Sequence, residues 1–179
     1  MVYIVLGTGF EEMEAVVPCD LLRRAGVDVE FVGIGGSLIR GSRGITVQAD
    51  CTQEEAKWDE AEMIVLPGGL GGVASILDSS TVLSAVRRCY EGGRFLAAIC
   101  AAPTIVAKLG YAEGKRACCY PGMEDEMGTA QMCDTGCVTD GKLITGRAAG
   151  SAFDFGLALI SALRGEERAR QVAAEVVYP

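Results

Sequence analysis

One cysteine stands where a nucleophile would. Ala98-Ile99-Cys100-Ala101-Ala102 closes the apolar run Phe95 to Ile99, and Pro103 opens a helical stretch. This is a small-x-nucleophile-x-small pattern. A sharp strand-to-helix turn crowds the residues two before and two after its apex, and alanine satisfies both positions. Pro103 needs no amide hydrogen in a first helical turn. A thiol at such a helix start is expected to lean toward thiolate. The competing reading is an inert cysteine buried in a junction.

Two other segments can serve that thiol. Pro67-Gly68-Gly69 follows the apolar run Met63 to Leu66. Gly68 and Gly69 can aim backbone N–H groups at a developing oxyanion, beside the amide of Ala101. A plain strand-to-helix turn is the alternative. Phe10-Glu11-Glu12-Met13-Glu14 opens the first helical pattern. Glu14 lies one turn inside it, far enough to face inward. Glu11 and Glu12 are expected to be surface charge.

The elements that must position these groups alternate. Strands are expected at Val2 to Leu6, Val27 to Val32, Met63 to Leu66, Phe95 to Ile99 and Lys142 to Thr145. Helical patterns cover Glu11 to Ala25, Thr81 to Tyr90, Ala102 to Leu109, Ser151 to Leu163 and Glu166 to Val176. Leu38 to Val47, centred on Gly41-Ser42-Arg43-Gly44, reads as a hairpin. Short β runs alternating with helices imply an α/β fold with a parallel sheet covered on both faces. In such sheets the reactive groups gather at the carboxyl ends of the strands.

Composition removes several classes of chemistry. The chain has 179 residues, half of them apolar, which suits one domain with a full core, 1–179. It contains no histidine. That excludes a Ser-His-Asp triad or Cys-His dyad made from this chain, and histidine-ligated metals. Proton transfer falls to carboxylate, Tyr, Lys, Cys or water. A net charge of −8 without a basic patch argues against nucleic acid and anionic membrane as partners. No apolar run reaches the roughly 20 residues of a membrane span. No export signal is visible, so a cytoplasmic location and free thiols are expected for the eight cysteines. Cys118-Cys119 and Cys133-x3-Cys137 lack a CxxC pair, which weighs against a four-thiolate zinc site. A subordinate reading sets Cys118 or Cys119 near Cys100 as a resolving thiol. Cys19, Cys51 and Cys89 read as packing thiols, and Trp58 as a surface-edge hydrophobe.

Taken together, Glu11-Glu12-Met13-Glu14, Arg23-Arg24-Ala25-Gly26, Ser42-Arg43, Val65-Leu66-Pro67-Gly68-Gly69, Ala97-Ala98-Ile99-Cys100-Ala101-Ala102-Pro103 and Thr145-Gly146-Arg147 running into Phe153-Asp154-Phe155 resemble the ThiJ/PfpI superfamily. The resemblance is to the branch of the parkinsonism-associated protein deglycase and its bacterial homologues. It implies a flavodoxin-like three-layer sandwich with a mostly parallel sheet, of the class I glutamine amidotransferase type. It implies that Cys100 is the reactive cysteine, Glu14 the buried acid bonded to it, and the amides of Gly69 and Ala101 the oxyanion-type donors. Gly68 and Tyr120 would line the pocket. Arg43 and Arg24 match arginines near its dimer-side mouth, and a homodimer is implied. The chain departs from the family at two places. Tyr120-Pro121 stands where many relatives carry His-Pro, and Ala148-Ala149 where Gly-Pro is usual. The first departure puts a Cys-His mechanism out of reach and makes the protease-like and amidotransferase-like branches poor fits.

The function this implies is a cofactor-free, metal-free enzyme of the glyoxalase III or deglycase kind. Cys100 would add to a small α-oxoaldehyde such as methylglyoxal and Glu14 would move the proton. The alternative is an oxidative-stress sensor or chaperone-like protein working through oxidation of Cys100.

Overall fold

The computed structural model describes all of residues 1–179. The chain begins with β1 (Val2–Leu6) and α1 (Glu12–Arg24), then β2 (Val29–Gly33), β3 (Leu38–Arg40), β4 (Thr46–Gln48) and β5 (Cys51–Thr52). β6 (Met63–Leu66) leads into α2 (Leu70–Asp78) and α3 (Ser80–Glu91). β7 (Phe95–Ile99) leads into α4 (Pro103–Lys108). β8 (Arg116–Ala117), β9 (Gln131–Met132), β10 (Cys137–Asp140) and β11 (Leu143–Gly146) precede the closing helices α5 (Ala152–Arg164) and α6 (Glu166–Glu175).

Seven strands form one sheet in the order β10-β11-β7-β6-β1-β2-β5. All pairs are parallel except β10 with β11. Strands β1 and β6 are buried along their whole length, as near-continuous apolar runs in a covered parallel sheet must be. Their side chains alternate between two cores. Val2, Ile4, Leu6, Met63, Val65, Ala97 and Ile99 pack with α1, α5 and α6. Tyr3, Val5, Ile64, Leu66, Leu96 and Ala98 pack with α2, α3 and α4. The result is a flavodoxin-like three-layer α/β sandwich. From β1 the chain goes outward to β2 and then returns to lay down β6, β7 and β11 on the other side. The sheet therefore reverses its winding between β1 and β6, where a crevice opens at the carboxyl ends of the strands.

Four expectations change. The second strand starts at Val29 rather than Val27. Helix α2 was not expected, because Leu70-Gly71-Gly72 carries two poor helix formers. Both glycines are demanded by packing: a Cβ on Gly72 would meet Phe10, and one on Gly71 the Thr8 carbonyl. Helix α4 spans six residues, not the eight of Ala102 to Leu109. Trp58 is no surface-edge residue. It is buried against Tyr3, ring centres 5.2 Å apart, and its indole N–H donates to the Gln53 carbonyl at 2.9 Å. No helix is long and apolar enough to cross a membrane.

Candidate active site

Cys100 occupies the turn between β7 and α4 with φ of 66°. The left-handed region costs a non-glycine residue about 1–3 kcal/mol, so its neighbours must hold it there. Its N–H donates to the Gly146 carbonyl of β11 at 2.9 Å, and its carbonyl accepts from Tyr120 N–H at 2.7 Å. Ala98 and Ala102, either side of the turn, are fully buried. A larger side chain at either place would have no room.

The loop after β6 lies alongside. Gly68 N–H donates to Glu14 Oε2 at 2.8 Å. A Cβ on Gly68 would sit 2.6 Å from that oxygen and 2.7 Å from Cys100 Cβ, so only glycine fits between them. Gly69 has φ of 83°, and its amide and that of Ala101 both stabilise negative charge on the Cys100 sulfur. All three glycine and alanine positions named from the sequence are thus brought to the one thiol.

Glu14 reaches the same point from α1. Glu11 caps that helix: its Oε2 accepts from Glu14 N–H at 2.9 Å. Glu14 itself is fully buried, and its Oε1 has no hydrogen-bond partner. Burial pushes the Glu14 carboxyl up to about 7, against the hydrogen bonds from Cys100 and Gly68 that pull it down. Burial, and then the charge and hydrogen bond of Glu14, push the Cys100 thiol up to about 12, while the amides of Ala101 and Gly69 pull it down. The two groups titrate as a pair. Between these two values the pair carries one negative charge and one proton. The expectation of a thiol depressed by its helix needs correction. Six residues carry a small dipole, and the large influences on the sulfur are burial and Glu14.

Glu12 also departs from expectation. It is 5% exposed, not surface charge. Its carboxylate accepts from Arg43 N–H at 2.7 Å, Ile45 N–H at 3.3 Å and Ser42 Oγ at 3.3 Å. Burial raises its pKa, but these amides and the hydroxyl outweigh it and leave the carboxyl below its ordinary value. Glu12 thereby fastens the tip of the β3–β4 hairpin to the start of α1. In the turn Gly41-Ser42-Arg43-Gly44, the amides of Gly41, Ser42 and Gly44 find backbone carbonyls, and the Arg43 amide needs a side-chain acceptor.

Cys100 and Glu14 open into a cavity of about 810 Å³. Gly69, Ala101, Tyr120 and Arg43 share its wall, together with Glu11 and Ala148-Ala149-Gly150. Gly68 lies behind the wall, between Glu14 and Cys100. Arg24 is not part of it. It is exposed at the end of α1, paired with Asp20 at 2.9 Å. Neither vicinal thiol is directed at Cys100: Cys118 Sγ donates to the Thr145 carbonyl at 3.2 Å and Cys119 Sγ to the Tyr120 carbonyl at 3.5 Å. Cys19 and Cys89 are buried and Cys51 is half-buried. No three His, Cys, Asp or Glu side chains converge as metal ligands.

Comparison with known proteins places the chain in a family. The model of the DJ-1/PfpI family matches residues 1–162. The Drosophila melanogaster protein dj-1beta is 39% identical over 95% of this chain and 92% of its own length. A Pyrococcus abyssi protein named as a deglycase is 31% identical over 85% of this chain and 92% of its own. The structure of oxidised Toxoplasma gondii DJ-1 superimposes with a TM-score of 0.95 at 30% identity, over 99% of this chain and 97% of that one. The chain belongs to the DJ-1/PfpI family.

Proposed function

We propose that the protein is a cofactor-free enzyme that converts small α-oxoaldehydes to 2-hydroxy acids through a covalent adduct on Cys100. One observation carries the reading. A strained nucleophile, two amides aimed at its sulfur and a buried carboxyl with a free oxygen meet at the floor of one cavity. The name of the Pyrococcus abyssi relative points to the same class of substrate, reactive carbonyls and their adducts.

The chemistry follows from the groups present. The Cys100 thiol gives its proton to the Glu14 carboxylate, the sulfur adds to the aldehyde carbon, and the carbonyl π electrons move to oxygen. Glu14 supplies the proton that completes the hemithioacetal. Glu14, now a carboxylate, removes the hydrogen on that carbon as a proton, giving an enediolate; the hydroxyl proton passes from the first oxygen to the second, and Glu14 returns its proton to the neighbouring carbon. The product is a thioester of a 2-hydroxy acid. Water displaces the sulfur and releases the acid, so methylglyoxal and one water give lactate. Each proton transfer requires a group that gives and takes protons near neutrality. Glu14, at about 7, has that property. Oxygen charge formed at the adduct lies near the amides of Gly69 and Ala101. Arg43 and Tyr120 at the wall orient the rest of the substrate.

The unpartnered Glu14 Oε1 also favours a second reading, the oxidative sensor. Once protonated it would donate to a sulfinate formed on Cys100, and the Toxoplasma gondii relative is described in an oxidised state. Exposed Met13, Val16, Leu38 and Ile45 on α1 and the hairpin would be covered in a homodimer. The deciding assay is lactate formation from methylglyoxal by wild type and Cys100→Ser. Turnover that survives in the serine variant overturns the enzyme reading. Absence of turnover in wild type, with peroxide converting Cys100 to sulfinate, selects the sensor.

A further inference from the structure

Strands β8 and β9 make a separate parallel pair at the edge of the molecule, with Arg116 opposite Gln131 and Ala117 opposite Met132. The ladder continues one step further. Cys133 N–H donates to the Ala117 carbonyl at 2.8 Å, which sets Cys118 opposite Cys133. Opposed residues in a ladder project to the same face. Ala117 and Met132 both turn into the core beneath α3 and α4. Cys118 and Cys133 therefore turn together to the opposite face. Adjacent strands lie about 4.8 Å apart, inside the span of about 4.4–6.8 Å that two α-carbons need for a disulfide.

The two thiols differ in access. Cys118 is 1% exposed. Cys133 is half-buried and lines an open cavity of about 320 Å³ beside the Arg147–Asp134 ion pair. Cys137 is the competing neighbour. It lies outside this ladder, on β10 opposite Gly146 of β11. The Cys118 thiol is raised by burial, against the hydrogen bond from the Thr145 side chain.

We propose that Cys133 and Cys118 form a second, peroxide-responsive thiol pair, separate from Cys100, that closes into a disulfide. The Cys133 sulfur attacks one oxygen of hydrogen peroxide. The O–O bond breaks, the departing hydroxide takes up a proton to become water, and Cys133 is left as a sulfenic acid. The Cys118 sulfur then displaces that hydroxyl. An S–S bond forms, the S–O bond breaks, and the hydroxyl leaves with the Cys118 proton as a second water. Two electrons pass from the two sulfurs to one peroxide. The bridge would lie two residues from Tyr120, whose N–H holds the Cys100 carbonyl. The proposal does not depend on what Cys100 does.

Peptide mapping tests it. The folded protein is treated with hydrogen peroxide, remaining thiols are alkylated, and trypsin with Asp-N separates Cys118-Cys119, Cys133 and Cys137 into three peptides. The expected result is a reducible Cys118–Cys133 link in wild type, Cys100→Ser, Cys119→Ser and Cys137→Ser, lost in Cys133→Ser and Cys118→Ala. Cys133→Ser, at a half-exposed position, tests the link without disturbing the core. A link from Cys118 to Cys137, a link through Cys119, dependence on Cys100, or full alkylation of Cys118 and Cys133 after peroxide would each overturn it.

Discussion

Replacing Glu14 by Gln isolates the cost of holding a carboxyl where this one is held. Glu14 is fully buried, with one oxygen bonded to Gly68 N–H and the other unpartnered. Gln keeps the acceptor for Gly68 and nearly the same volume, and removes only the ionisation. In the folded protein the carboxyl loses its proton near 7, against an ordinary value of 4.5. The folded state therefore binds more protons than the unfolded chain between these values. For an acid raised in this way, its contribution is most favourable below 4.5 and is lost as pH rises through about 7. At about 1.4 kcal/mol per unit, the rise corresponds to about 3 kcal/mol lost by wild type above pH 7. Glu14→Gln is spared that loss. The variant should match wild type in stability near pH 4 and exceed it by up to about 3 kcal/mol at pH 8. Urea unfolding across that range, in a Cys100→Ser background that removes sulfur ionisation, measures the difference. Two stability curves that run parallel from pH 4 to 8 would refute the argument, because the carboxyl would then titrate alike in both states.

Other outcomes follow from the same contacts. Glu14→Gln in the presence of Cys100 should shift thiolate absorbance to lower pH than wild type, since Glu14 charge is among the causes that raise the thiol, and should abolish lactate formation. Glu14→Leu, without a donor, should keep the thiolate at higher pH than Gln does. Gly68→Ala drives a methyl into Glu14 Oε2 and Cys100 Cβ, so turnover should fall at least about tenfold, equal to about 1.4 kcal/mol, with a lowered Tm. Glu12→Ala removes the acceptor of two amides and a hydroxyl and should cost about 2–3 kcal/mol. Hydrogen exchange should then quicken at Arg43 and Ile45; unchanged exchange there would show that the hairpin tip has another anchor.

Much of the fold was legible because the covered strands are written as apolar runs bounded by glycine or proline. Met63 to Leu66 and Phe95 to Ile99 appear in the structure with those bounds. The turn at Cys100 was legible for a similar reason: a steric demand selects alanine at 98 and 102 whatever the chemistry. What escaped depended on partners distant in sequence. Strands β8 and β9 are two residues long and exist only through one another. Helix α2 contains glycines that local propensity rejects and close approach to Phe10 and Thr8 requires. Glu11, Glu12 and Glu14 are alike by composition, yet one caps a helix, one anchors a hairpin and one faces the thiol. Helical spacing separates their directions, but only the hairpin's position tells which carboxylate finds amides.

The missing histidine then has a physical resolution. An enzyme that moves protons at neutral pH commonly uses imidazole because its ordinary value, about 6.5, lies there. This chain has none. Burial takes a carboxyl from 4.5 to about 7 and so brings Glu14 into the same range. The two groups differ in charge. A neutral imidazole becomes a cation on taking a proton, which supports an adjacent thiolate. A carboxylate becomes neutral, so it stops opposing a thiolate and begins to donate to it. Cys100 therefore gains its charge only as Glu14 loses its own, and the proton travels between them. Two amides remain on the sulfur and one on the carboxyl, so either placement of the charge is met by donors already in position. Carbonyl addition needs the charge on sulfur; removal of a carbon-bound proton needs it on the carboxylate. In the reaction proposed above, one buried pair with one proton between them would provide both in turn.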